Sequence, residues 1–178
     1  LIVRTFGLEV AYYDEYDNFG NALVLLGDPL PSYFTARAPF AVLAQLPAMA
    51  LIHAEIIERS HLVPHLVALA ITLSGLALSF RFIRMSHSAS ASAMAVVMLA
   101  CNRIVLHYAP FAENTGTSLL ALALALPLIS SARANPSTKR VILAAFGIAL
   151  AGLARSNFLA LGPITVIYWI LYPKFCKD

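Results

Sequence analysis

From residue 62 onward the chain offers five long apolar stretches with little polar inside them: 62–82, 88–108, 116–132, 139–154 and 157–173. Short polar or proline-containing breaks separate them, RFIRMSHS, APFAEN, RANPSTK and RSN. About 20 apolar residues in a helix cross the hydrocarbon core of a bilayer, so this pattern constrains the fold more than any motif does. Composition agrees. Of 178 residues 60% are hydrophobic and 12% charged, whereas a soluble domain carries roughly 25% charged residues. Mean hydropathy is +0.79. One core in a chain this short does not hide so much apolar surface. The expected fold is all-α: a polytopic membrane helical bundle of about five transmembrane helices, with amphipathic interfacial helices in its first outer loop. The fourth stretch is short and needs Lys139 and Arg140 to snorkel. Pro127 and Pro163 fall inside spans, where neighbouring helices tolerate them. The small-residue run SASASAMA, 88–95, suits close helix packing.

Other classes drop out. No basic stripe interleaved with aromatics points to nucleic acid. Cys101, inside the second apolar stretch, and Cys176 make neither a disulfide framework nor a metal-ligand spacing. His61 and His65 stand four apart, as helical metal ligands do, but no third ligand accompanies them. The chain starts LIVRTFG and ends KFCKD. It reads as the N-terminal part of a longer polytopic protein, with LIVRTF too short for a signal peptide and suited to the last turn of a preceding helix.

Residues 39–57, PFAVLAQLPAMALIHAEII, are long enough to span but contain Gln45, Pro47, His53 and Glu55. Basic residues decide the question. If 39–57 does not cross, one side receives Arg81, Arg84, Arg133, Lys139, Arg140, Lys174 and Lys177, and the other receives Arg4, Arg37, Arg59 and Arg155. The more basic side is cytoplasmic. Eight of the nine acids, all but Asp178, then lie on the outer side. The segment is therefore expected as an interfacial helix, within a first outer loop covering 9–60. Tyr168, Trp169 and Tyr172 fit an inner aromatic belt.

That outer loop holds Asp14, Glu15, Asp17 and Asp28 in one stretch, YYDEYDNFGNALVLLGDP. Read as a helix, it places Asp14, Asp17, Asn18 and Asn21 on one polar face. Ala22, Leu23, Leu25 and Leu26 give apolar cover, and Gly27 marks the stop. Capping alone accounts for an acid pair at a helix start. The outer face adds Glu113 in the loop after Tyr108, Arg37 near Pro39, and Arg155 as the charged residue of the short turn LARSN. Glycosyl transfer would need such a set: a surface carboxylate to accept or orient a proton, and cations, here Arg37 and Arg155, to hold a phosphate.

These residues carry a resemblance. Asp14-Glu15 in the first outer loop, a following amphipathic helix, Gly27-Asp28, then Arg37 with Pro39, resembles the opening of GT-C superfamily membrane glycosyltransferases. The branch is that of the polyprenyl-phosphate-sugar-dependent enzymes, such as aminoarabinose transferases and protein O-mannosyltransferases. His107-Tyr108 followed by Glu113, and GLARSNF with Arg155, continue the order. Arg37-Ala38-Pro39 stands where the family has Lys-Pro-Pro, Glu113 where it has Asp, and Arg155 where it has Lys. The resemblance implies inverting transfer of a sugar from a polyprenyl-phosphate donor to a lipid, glycan or protein acceptor on the extracytoplasmic face of the cell membrane. Asp14 and Glu15 would be catalytic. Asp17, Arg37, Glu113, Arg155 and Tyr108 would bind substrate, with no metal or other cofactor, and membrane lipids would surround the chain. Two rivals remain open: a transporter or permease fragment, to which Arg103 within a span and proline-broken helices belong, and a noncatalytic scaffold subunit.

Overall fold

The computed structural model describes residues 13–29, 39–57, 62–109 and 114–171. Among the described residues every regular element is helical: α1 (Tyr13–Leu25), α2 (Pro39–His53), α3 (Leu62–Arg84), α4 (Ala89–Ala100), α5 (Arg103–Tyr108), α6 (Asn114–Ala134), α7 (Thr138–Ala154) and α8 (Leu161–Leu171). A tight turn of 3-10 helix over Ser156–Ala160 leads into α8.

Local chemistry sets the helix ends. The Ser88 hydroxyl accepts the Ala91 N–H at 3.3 Å to open α4, and the Ser137 hydroxyl accepts that of Arg140 at 3.4 Å to open α7. Gly27, at φ +107°, closes α1 as the sequence predicts. Its N–H bonds the Val24 carbonyl at 3.1 Å, and the Asp28 N–H bonds that of Leu23 at 3.0 Å, the paired bonds of a left-handed helix stop. The chain leaves α2 the same way, with Glu55 N–H to Ile52 at 3.1 Å and Ile56 N–H to Leu51 at 3.0 Å. Here the left-handed position, φ 56°, holds Glu55 rather than glycine. A side chain there costs about 1 kcal/mol. Glu55→Gly is therefore expected to raise the unfolding free energy by about that much, read as a shift in the midpoint of detergent-induced unfolding; an unchanged or lowered midpoint would show that α2 does not end this way.

α6 is the centre of the bundle, packed along α3 on one side and α7 on the other. Small residues set the approach. A Cβ added at Gly75 would lie 2.9 Å from the Leu120 nitrogen, and one at Gly147 would lie 3.0 Å from the Ala125 Cα. Gly116 abuts the Thr72 hydroxyl, which reaches the carbonyls of Ala68 (3.0 Å) and Ala109 (3.2 Å). Residue numbers rise together along α3 and α6 (Thr72 with Gly116, Gly75 with Leu120), so these helices run parallel. They fall as others rise between α6 and α7, which form an antiparallel hairpin. The packed faces are Ala68, Thr72 and Gly75 on α3, Ala121 and Ala125 on α6, and Ala144, Gly147, Ala151 and Ala154 on α7. The large side chains point outward: Leu66, Leu73, Met98, Ile142, Phe146 and Ile167 are exposed. This reverses the order of a soluble core and matches helix interfaces formed in lipid.

α3 (23 residues) and α6 (21 residues) are long and apolar enough to cross a bilayer, at roughly 34 and 31 Å by the helical rise. Only 17% of the most apolar window of α3 is buried, which separates it from the core helix of a soluble protein. Of the other expected spans, 139–154 is the single helix α7, whose 17 residues are short for a bilayer, as expected of it, and the remaining two are broken. The stretch 88–108 is broken into α4 and α5, because Asn102 takes an extended backbone and its side chain accepts the Ile104 N–H at 3.0 Å, starting a new helix. Cys101 thus ends a helix instead of lying within one, and Arg103 is the exposed first residue of α5. In SASASAMA only Ser92 is buried. The stretch 157–173 divides between the 3-10 turn and α8, which has 11 residues.

α1 also corrects the sequence reading. Its expected polar face turns inward: Asn18 is 0% and Asn21 7% exposed, while Leu25 is 62% exposed. The reason is α2, whose Val42, Met49 and Ile52 close with Phe19 and Ala22 of α1 and Ala68 of α3 into one cluster. Asn21 meets part of its need locally, donating to the Asp17 carbonyl at 2.7 Å. α2 itself has 15 residues, roughly 22 Å, short of the roughly 30 Å of a hydrocarbon core, and it ends at His53 rather than continuing to 57.

Candidate functional site

α2 touches α1, α3, α6 and α7. Near its start, Phe40 packs with Ala121, Ala125, Ala151, Ala154 and Phe158; near its end, Met49 and Ile52 pack with α1 and Ala68. It therefore lies across the bundle at the end where α6 begins and α7 finishes. The Asp28 carboxylate stands 3.2 Å from His53 Nδ1 and links the segment after α1 to the end of α2. Both partners are partly exposed, so the pair contributes little to stability.

The site residues read from the sequence fall around this layer as follows. Asp14 and Glu15 are in the first turn of α1, and Asp17 is half-buried one turn on. Arg155 is exposed between α7 and the 3-10 turn, its extended backbone held by its N–H to the Ala151 carbonyl and by the Phe158 N–H to its own carbonyl, both 2.9 Å. Arg155 follows Ala154, which packs with Phe40 of α2. Tyr108 is the half-buried last residue of α5, edge-on to His107 at 4.7 Å between ring centroids. The Thr72–Ala109 bond ties that end of α5 to the middle of α3, level with Gly116. Thus α1, Arg155 and the end of α5 come to one end of the bundle, with α2 among them. Arg37, Glu113 and His61 lie outside the described residues. Among the described residues no group of three or more His, Cys, Asp or Glu side chains is arranged to hold a metal.

The opposite end is cationic. Arg81 and Arg84 finish α3, Arg133 is in the last turn of α6, and Lys139 and Arg140 begin α7. The Arg133 guanidinium donates to the Tyr168 hydroxyl and stands 4.3 Å over its ring centroid, tying α8 to this end. Arg84 and Arg140 donate to the carbonyls of His87 (3.1 Å) and Asn135 (3.2 Å). Among the described residues no acid lies at this end.

Sequence reasoning gave no site role to three polar residues of α2 and α6. Gln45 is 2% exposed, at the centre of the α2 inward face, and Ser118 is 6% exposed near the start of α6. Gln45 Oε1, Ser118 Oγ and Asn114 Oδ1 are buried and meet no hydrogen-bond partner among the described residues. Gln45 did stand out as polar in an apolar segment; Asn114 and Ser118 were hidden in a helix start, NTGTS.

Comparison with known protein families, characterised proteins and solved structures finds no match.

Proposed function

We propose that the chain is part of an integral-membrane glycosyltransferase that moves a sugar from a polyprenyl-phosphate donor to an acceptor at the extracytoplasmic face. One observation carries the reading: α1 with its acids, α2 and Arg155 collect at one end of the bundle, and five arginines and lysines ring the other. Cationic loops stay in the cytoplasm, so the acid-bearing end faces outward. The outward-facing leucines, isoleucines and phenylalanines support a lipid surround, and α2 supports a layer lying at the interface. Asp14 serves as base or acceptor-orienting carboxylate and Glu15 shapes the site. Arg155 and Arg37 hold the donor phosphate, and Asp17, Tyr108 and Glu113 contact sugar or acceptor.

The test supplies the full chain in proteoliposomes with a panel of polyprenyl-phosphate sugars and counts sugar moved to acceptor. In parallel, single cysteines at Glu55, Ser156 and Asn135 are labelled in intact cells, with Cys101 and Cys176 changed to serine. Transfer, with Glu55→Cys and Ser156→Cys labelled from outside and Asn135→Cys protected, is the expected result. Solute uptake without transfer overturns it in favour of transport, the reading to which the α4–α5 break and the exposed Arg103 belong.

A further inference from the structure

We infer that the outward face of α7, headed by Lys139 and Arg140, seats an anionic phospholipid, with its headgroup phosphate on the two cations and an acyl chain along the apolar residues that follow. The inference rests on the membrane reading of the bundle and not on glycosyl transfer.

The register of the hairpin gathers the charge. Ala125 of α6 lies against Gly147 of α7. Eight residues on from Ala125 is Arg133, and eight back from Gly147 is Lys139, so the antiparallel pair sets these two cations at one level. Arg140 follows, half-buried, and donates across the turn to the Asn135 carbonyl at 3.2 Å. Helix stability does not explain Lys139 and Arg140. Arg81, Arg84 and Arg133 stand in the last turns of their helices, where the dipole favours cations, whereas Lys139 and Arg140 stand in a first turn, where it opposes them. Among the described residues no carboxylate answers the two, and between residues 62 and 171 the sequence has one acid, Glu113, just before α6 begins.

The same face continues as hydrocarbon. Lys139, Ile142, Phe146 and Leu153 follow the spacing of one helix face. Lys139 is exposed, and Ile142, Phe146 and Leu153 are 62%, 63% and 45% exposed, while Ala144, Gly147 and Ala151 are buried. α7 therefore presents cations above an apolar stripe that runs roughly 20 Å along its axis. The pattern narrows the ligand. A free phosphate leaves the stripe bare, and a neutral hydrocarbon leaves the cations unanswered. A second copy set the same way in the membrane brings cations to cations. A lipid with a phosphate head and acyl chains meets both parts, and basic residues beside a span recognise anionic headgroups. The 17 residues of α7 are short for a bilayer, which draws its leading cations to headgroup depth.

The test uses the full chain carrying Trp169→Phe, which removes its one tryptophan, and Phe146→Trp, which puts a fluorescent reporter on the stripe. This parent protein is reconstituted in mixtures of phosphatidylcholine and phosphatidylglycerol in which one or the other bears brominated, quenching acyl chains. Quenching is expected to show phosphatidylglycerol preferred by about five- to twenty-five-fold, the worth of one to two basic side chains at an anionic surface. Adding Lys139→Gln with Arg140→Gln should bring that ratio to within about two-fold of unity. Arg81→Gln should leave it unchanged. Gly75 meets Leu120, so Arg81 is level with Leu126, roughly 10 Å short of Arg133 by the helical rise. Helical circular dichroism of each variant is followed alongside. If the double variant does not accumulate, Lys139→Gln alone decides, with a loss of about five-fold expected. No preference in the parent protein, or one that survives the double substitution, overturns the seat. An equal loss with Arg81→Gln overturns it too, because the attraction is then the diffuse field of the whole cationic end. Displacement by millimolar inorganic phosphate makes the ligand a soluble anion and has the same consequence.

Discussion

Asp14→Asn is expected to lower sugar transfer by about a hundred- to ten-thousand-fold, the range that removing a positioned acid–base group produces, with donor binding and melting little changed. Asp14 lies in the first turn of α1, at the end of the bundle that carries Arg155. A carboxylate there does two separable things. It complements the positive end of the helix dipole, and it takes or orients the proton of an attacking hydroxyl or amine. Asparagine is close to aspartate in size and serves a helix start nearly as well, but it does not accept the proton. The substitution thus removes the chemistry and spares the fold. The measurement is the rate of label moved from a polyprenyl-phosphate sugar to acceptor in proteoliposomes, at matched protein and with the melting profile beside it. Rates equal to wild type would remove Asp14 from the mechanism and return it to a role in ending the helix.

Much of the fold was legible because it depends on local rules. Gly27 takes the left-handed stop that the sequence marks, and every apolar stretch after residue 62 falls on helix. The failures have a common cause. Periodicity identifies which residues of α1 share a face, but not which way that face turns, and Asn18 and Asn21 are buried in a helix that packs on α2 through Phe19 and Ala22. Hydropathy averaged over 88–108 hides one extended residue at Asn102, whose effect comes from a single cap bond. The site divides the same way. Arg155 was conspicuous as a charge in an apolar turn, whereas the burial of Gln45 and Ser118 depends on how the helices pack.

Gly75→Leu is expected to cost about 3 kcal/mol, at the upper end of overpacking penalties, and to weaken donor binding with it. At Gly75 even the first side-chain carbon would stand 2.9 Å from the Leu120 nitrogen and 3.2 Å from the Leu119 carbonyl carbon. Those are backbone atoms, which no rotamer change moves aside, so α3 and α6 must separate. α6 is not free to follow, since Ala125 is already against Gly147 of α7 on its other side. The displacement therefore falls on the start of α6, where Gly116 meets Thr72. Helix propensity argues the other way, favouring leucine over glycine by up to about 1 kcal/mol, and is the smaller effect. Gly20→Ala provides the control. Nothing lies within 4 Å of a Cβ there, so the same propensity acts unopposed and should stabilise by about 0.5–1 kcal/mol. Unfolding midpoints in detergent, followed by helical circular dichroism, should move in opposite directions for the two variants. A Gly75→Leu protein with the wild-type midpoint would mean that α3 and α6 do not meet at this glycine, and the shared level of Thr72, Gly116 and Ala109 that sets the position of α5 would fall with it.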